Sequence, residues 1–190
     1  VRRDLLDDAF ALHVAGLQLL PGIEGAPLAG LLREARARGI LTILDTVMNP
    51  RSRGWEGLLP ALPHLDWCVP STEEARQLTG EADPDRQAGV LLDHGVGAVV
   101  IKMGEAGCRL YDRSGAVTRV PPYPAVVVDT LGAGDSWCAG FLAGLRRGCA
   151  PEEAARIGNR VGADCVSALG ATTGIRAFDD VRARLGERAA

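Results

Sequence analysis

The stretch VVVDTLGAGDSWCAGFLAGL, residues 126–145, joins a β-branched run to a glycine-rich turn and then to an apolar-periodic segment. This is the pattern of a strand feeding a helix through a tight turn. Gly132, Ala133 and Gly134 carry almost no side chain. A phosphate can approach such a backbone closely, and the N–H groups at a helix start have no intrahelical acceptor. The turn therefore reads as an anion hole able to hold a transferring phosphoryl group. Asp135 is the odd residue in it, because a carboxylate repels phosphate. Two readings account for it. It caps free N–H groups and complements the helix dipole, or it is a base that takes the proton of an alcohol as a phosphoryl group is transferred. Two other phosphate loops fit worse: G-x-x-x-x-G-K-[ST] occurs nowhere, and a dinucleotide fingerprint begun at Gly132 would require glycine where Trp137 stands.

Outward from this turn, strand-type and helix-type segments alternate. Residues 11–16 (ALHVAG), 40–45 (ILTILD), 66–69 and 98–103 (AVVIKM) read as strands; residues 27–38, 71–78 and 85–94 read as helices between them. Gly39 and Gly80 supply helix stops. Alternation of this kind predicts a doubly wound, mostly parallel α/β sheet with helices on both faces. Short strands at 108–112, 117–120 and 125–128 are expected to form a small antiparallel edge, followed by helices at 134–147, 151–169 and 178–188.

With 190 residues, 47% hydrophobic and 24% charged, the chain can bury one substantial core, and a single α/β domain over residues 1–190 is expected. A net charge of -3 with mixed signs offers no basic stripe for nucleic acid. No apolar run approaches the roughly 20 residues that cross a bilayer, and the first residues lack a signal-peptide core, so a cytoplasmic location is expected. Cys68, Cys108, Cys138, Cys149 and Cys165 are scattered, and His13, His64 and His94 stand alone, which argues against a disulfide framework or a zinc site.

The segment DTLGAGD, residues 129–135, resembles the D-T-x-G-A-G-D signature of the ribokinase-like, or PfkB, carbohydrate kinases. Three further segments follow that family's order, so the resemblance covers nearly the whole chain. It implies a ribokinase-like fold, ATP and Mg2+ as cofactors, and a small sugar-like molecule as phosphoryl acceptor. Asp135 matches the family's catalytic base, and Gly132, Ala133 and Gly134 its anion hole.

IKMGEAG, residues 101–107, looks like the family's nucleotide-binding loop, which places Lys102, Gly104, Glu105 and Gly107 beside ATP; an ordinary strand-turn-strand connection reads the same way. PSTEEARQLTG, residues 70–80, looks like the N-x-x-E segment that organises Mg2+ and the phosphates, with Glu74 as the matching carboxylate. Ser71 is placed by the resemblance at a nucleotide contact, where it departs from the family pattern by standing in place of the commonest residue, asparagine. Ser71 and Glu74 also spell an S-x-x-E capping box, a role compatible with metal binding. Residues 154–174 resemble the helix and loop beside the adenine, with Asn159 and Gly162 as nucleotide neighbours. The resemblance also implies a monovalent cation site for K+, formed by Asp129 with carbonyls of Leu131, Cys165, Ala168 and Gly170. Asp45 and Asn49 fall where the family places its acceptor pocket, and strand carboxyl ends are where open α/β sheets bind ligands.

The resemblance further implies that this chain is the C-terminal portion of a kinase of about 300 residues, lacking the N-terminal part and the β lid. A parallel sheet without its first strands leaves an open edge and an apolar face, which a homodimer would cover. A nucleotide-binding remnant without catalysis and, more weakly, a nicotinamide-dependent oxidoreductase are the alternative functions.

Overall fold

The computed structural model describes residues 2–47 and 49–186. Six strands lie in one sheet in sequence order, β1 (Ala11–Val14), β2 (Leu41–Leu44), β3 (Trp67–Cys68), β4 (Ala98–Lys102), β5 (Cys108–Asp112) and β6 (Val117–Val120). The first four are parallel, with Ala11 opposite Leu41, Ile43 opposite Trp67 and Trp67 opposite Ala98. Met103 N–H donates to Gly107 O at 2.8 Å and Asp112 N–H to Ala116 O at 3.3 Å. These tight turns reverse the chain into β5 and then into β6, since only antiparallel neighbours can be joined so briefly. The α/β class expected from the alternation is thus realised as a mixed sheet.

The chain divides into two compact units, Val1–Ile101 with Tyr111–Val117, and Lys102–Leu110 with Thr118–Ala190. In the first, α1 (Ala26–Ala37) has Pro27 in its first turn and ends before Gly39, whose φ of 72° takes the left-handed conformation that glycine tolerates. Its buried face, Leu28, Leu31, Leu32 and Ala35, follows helical spacing. Leu31 and Ala35 join Leu6 and Ile40 in one core cluster. Ile43, Leu44, Val99, Val100 and Ile101 are fully buried, as β-rich runs in covered parallel strands are. The same unit holds α2 (Gly54–Leu58), α3 (Thr72–Thr79) and α4 (Pro84–Asp93), the last capped by Asp83 accepting from Asp85 and Arg86 N–H.

The second unit is built on α5 (Ala133–Arg146), α6 (Pro151–Val166) and α7 (Phe178–Ala183). Glycines let α5 and α6 approach backbone to backbone. A Cβ on Gly140 would lie 2.9 Å from Val161 Cγ2, one on Gly144 would lie 2.9 Å from Ala154 Cα, and one on Gly158 would lie 2.8 Å from Trp137 Cε2. Trp137 stacks on Phe141 with ring centroids 5.0 Å apart, while Ile157, Val161, Val181 and Leu185 close the core against α7.

Three expectations change. Residues 125–128 form no strand: Val126, Val127 and Val128 are 81%, 64% and 57% exposed. β-branched composition satisfies only the local preference of a strand, and the ladder needs a neighbouring backbone. Pro121, Pro122 and Pro124 remove donors just upstream, and Val128 N–H pairs instead with Val166 O at 2.8 Å. The helix expected over 151–169 stops at Val166, and the one expected over 178–188 stops at Ala183; residues 187 and 188 lie outside the described residues. The short helix α2 gave no sequence signal, because its GWEGL has little helical propensity and is held by tertiary bonds such as Gly25 N–H to Gly57 O at 2.7 Å.

The glycine contacts make a stability prediction. Gly144→Ala should lower unfolding free energy by about 1–3 kcal/mol through overpacking. Gly89→Ala, in α4 with nothing within 4 Å of its would-be Cβ, should be neutral or stabilising by about 0.4–1 kcal/mol. Urea unfolding of the two variants checks both signs.

Candidate active site

The glycine-rich turn enters α5 through Gly132, the N-cap residue, at φ 74°. A Cβ there would fall 2.6 Å from the Ala171 Cβ, so the position excludes a side chain both by conformation and by contact. No side chain caps the helix. Ala133 N–H reaches Thr130 O at 3.3 Å and Ser136 N–H reaches Gly132 O at 2.8 Å, which leaves the first-turn N–H groups of Gly134 and Asp135 without a backbone acceptor among the described residues. Uncapped donors at a helix start carry the positive end of the helix dipole, the arrangement that binds an anion.

Asp129 holds this turn from behind. Its Oδ1 accepts Leu131 N–H at 3.0 Å and its Oδ2 accepts Gly170 N–H at 2.9 Å, and these two bonds hold its carboxyl below the usual carboxylate range. The loop after α6 forms the other wall: Ala171 O accepts from Ser136 Oγ at 3.4 Å and from Cys165 Sγ at 3.2 Å, and Cys165 Sγ also reaches Leu131 O at 3.5 Å. Asp129, Leu131, Gly132, Cys165 and Gly170 are therefore brought together. Asp135, in contrast, is exposed and its carboxylate makes no hydrogen bond or ion pair among the described residues. The capping reading of Asp135 is not realised.

In the same unit, Gly104 and Gly107 have φ of 55° and 81°, and a Cβ on Gly107 would lie 2.2 Å from Val120 O. These glycines shape the turn after β4, which Gly104–Ala106 completes as one 3-10 turn with Glu105 exposed. Asn159 is buried, and its amide is occupied: Oδ1 accepts Trp137 Nε1–H at 2.7 Å, and Nδ2 donates to Val120 O and Pro121 O at 3.2 and 2.9 Å. Its role here is to lock α5, α6 and the end of β6. Cys108 beside it is pushed up to about 12 by burial and is no nucleophile. Gly162 faces the start of α5, with its would-be Cβ 3.7 Å from Ala133 O.

The remaining candidates belong to the first unit. Ser71 and Glu74 form the capping box in full: Ser71 Oγ accepts Glu74 N–H at 3.3 Å and Glu74 Oε2 accepts Ser71 N–H at 2.7 Å. Asp45 is buried just past β2, with Oδ1 accepting Thr46 N–H at 2.9 Å. Asn49 donates to Gln18 O at 3.0 Å and accepts Arg51 N–H at 3.0 Å. The sequence reading passed over Gln18, Glu24 and Thr46, all buried. Gln18 Oε1 accepts Val47 N–H at 3.1 Å, and Glu24 takes Ser52 Oγ–H and Arg53 N–H at 2.7 and 2.9 Å. An isolated Gln or Glu in a loop carries no signal of such burial. Among the described residues no cluster of three or more His, Cys, Asp or Glu forms a ready-made metal site, and no helix is long and apolar enough to cross a membrane.

The model of the pfkB family carbohydrate kinases matches residues 1–177. The chain belongs to that family. Maize inositol 3-kinase is 41% identical over 112 residues, which cover 59% of this chain and 27% of that protein. Thermotoga maritima ribokinase superimposes with a TM-score of 0.76 at 25% identity, covering 97% of this chain and 59% of the other. Salmonella enterica aminoimidazole riboside kinase, in complex with aminoimidazole riboside and an ATP analog, gives a TM-score of 0.76 at 26% identity, covering 92% and 62%. The chain spans about half or less of the length of the curated relatives it matches first. As a pfkB-family chain it thus has the ribokinase-like α/β fold.

Two predictions follow from the turn. Gly132→Ala should destabilise the protein by about 1–3 kcal/mol, since alanine must take a left-handed conformation while displacing Ala171; thermal unfolding measures it. Asp129 has a folded-state pKa below its unfolded one, so its contribution is fully present above the unfolded value and is lost as pH falls through the folded value. Amide exchange at Gly170 should therefore stay protected at neutral pH and lose protection only below the ordinary aspartate range, and Asp129→Asn should remove that pH dependence.

Proposed function

We propose that the protein carrying this chain transfers the γ-phosphoryl group of ATP, bound with Mg2+, to an alcohol of a small sugar or sugar-like acceptor. The single observation that carries the reading is the contrast at the turn: uncapped N–H groups at the start of α5, with Asp135 in the same first turn and its carboxylate unengaged among the described residues. A carboxylate that neither caps nor pairs, placed in an anion hole of a carbohydrate-kinase family chain, is explained by proton transfer.

In this mechanism the acceptor hydroxyl gives its proton to Asp135 as its oxygen bonds to the γ-phosphorus, and the bond from that phosphorus to the bridging oxygen breaks to release ADP. The Gly132–Gly134 backbone is assigned to the transferring phosphoryl group, with the N–H groups of Gly134 and Asp135, which have no backbone acceptor among the described residues, as donors to its oxygens. A helix terminus is worth about 0.3–1 kcal/mol in water, but preorganised donors count for more in a site closed to solvent. Magnesium supplies charge neutralisation on the phosphates when bound. Glu74 is the carboxylate assigned to it, acting through water because Mg2+ keeps several of its waters; Oε2 is taken by Ser71 N–H. Asp129 with the carbonyls of Leu131, Cys165, Ala168 and Gly170 is assigned to a monovalent cation such as K+, a reading supported by Asp129 taking the N–H groups of Leu131 and Gly170 and so holding these two residues beside it. Lys102, Gly104, Glu105 and Gly107 are assigned to the nucleotide side, with Gly162 near the helix start, and Asp45 and Asn49 to the acceptor side. The family relatives named inositol, ribose and riboside kinases support a polyhydroxylated acceptor.

Asp135→Asn should lower kcat by about 10²–10⁴-fold while ATP affinity stays within about threefold, measured by coupled ADP release and by nucleotide titration. Full activity in the variant would end the base assignment. ATP binding by the wild-type protein with no turnover on any sugar, sugar acid, polyol or nucleoside would favour a nucleotide-binding protein without catalysis.

A further inference from the structure

Asp164 is a buried acid that the mechanism does not use. It lies in the last turns of α6, one turn beyond Arg160, whose Nε stands 3.3 Å from Asp164 Oδ1. Arg184, at the end of α7, brings Nη1 to 3.1 and 3.2 Å of the two carboxylate oxygens, and Arg176 Nε stands 3.9 Å away. One carboxylate thus gathers α6, the segment before α7 and the end of α7. Taking a carboxylate out of water is costly unless donors and opposite charge meet it; here Arg184 hydrogen-bonds both oxygens and the guanidinium groups of Arg160 and Arg176 add charge within 4 Å. The backbone is tied at the same place: a Cβ on Gly174 would lie 2.0 Å from Asp164 O, so the chain at 174 rests directly on residue 164.

The loop between these fixed points, residues 167–173, is the wall of the catalytic turn. Gly170 N–H donates to Asp129, Ala171 O receives Ser136 Oγ–H, and Ala171 abuts Gly132. We infer that Asp164 is a positioning residue for phosphoryl transfer, setting through loop 167–173 where the Gly132–Asp135 turn sits. The inference rests on the proposed role of that turn. Asp164 touches no reacting atom; a shift of about 1 Å at such remove is enough to cost about 10²-fold in rate.

The test compares Asp164→Asn, Asp129→Asn and the double variant in the full natural chain. In folded Asp164→Asn, the Gly170 and Leu131 amides should exchange at least tenfold faster than in wild type. Its kcat per folded molecule, with the folded fraction fixed by circular dichroism so that loss of folded enzyme is removed from the comparison, should fall tenfold or more with KM for ATP and acceptor within about threefold. The double variant should lose less activity than the product of the two single losses, because both act through one loop. Unchanged exchange at Gly170 in a folded variant, or multiplicative losses, overturns the proposal. Should Asp164→Asn fail to fold, Arg184→Gln, at a half-buried position, is read by the same three measures. Absence of phosphoryl transfer by the wild-type protein would defeat the kinase reading alone, since the exchange measurement decides the link from Asp164 to the turn without activity.

Discussion

Gly132 abuts Ala171 so closely that any side chain at residue 132 would have to displace the neighbouring loop. That contact decides how α5 begins. With the left-handed N-cap fixed at Gly132, the first turn of the helix lies against the loop after α6, and no side chain reaches round to satisfy its donors. A helix start ordinarily recruits Ser, Thr, Asp or Asn to this position. Here the glycine leaves the donors for something else, and the small residues that follow it, Ala133 and Gly134, keep the approach open. The cost of an uncapped terminus is tolerable because α5 is secured along its length by the glycine contacts with α6 rather than at its end.

The same logic separates residues that shape the site from residues that act in it. Asn159 is a candidate neighbour of nucleotide whose amide is already bonded to Trp137, Val120 and Pro121, so a nucleotide beside it would meet its position and not a free amide. A buried amide engaged in this way fixes relative positions of elements, and loss of one partner would leave others unsatisfied. Ser71 and Glu74 are similar: their reciprocal bonds complete the start of α3, and any contact with metal must be made by what the cap leaves free. Buried Glu24 does comparable work in the first unit, where it organises the backbone at Arg53 and the hydroxyl of Ser52.

What was legible in the sequence was local. Glycine at helix stops, proline at helix starts, the S-x-x-E box and the GAG turn each state a conformational requirement within a few residues, and the structure meets them. The parallel strands were also legible, since continuous apolar runs between amphipathic helices leave few alternatives. The valines at 126–128 misled because three β-branched residues state a preference and not a partner. The Asp164 cluster was invisible for the same reason. Arg176 and Arg184 reach it only because Gly174 lets the chain fold back on residue 164, and nothing in their spacing announces that.

Two aspartates six positions apart show how one turn divides its labour. Asp129 spends both oxygens on backbone N–H groups and is held ionised by them, so its charge is committed to the shape of the loop. Asp135 has the same chemistry and no such partners. Had a cap formed at Asp135, the helix would be more stable and the carboxylate less able to accept a proton, because hydrogen bonds to the ionised form lower its basicity. Stabilising the turn through Asp129 and leaving Asp135 bare solves both demands with one residue type. The order of the two is not interchangeable: residue 129 precedes the helix, where its oxygens take the N–H groups of Leu131 ahead of it and of Gly170 across the loop, whereas residue 135 is already within the first turn of α5 and takes neither.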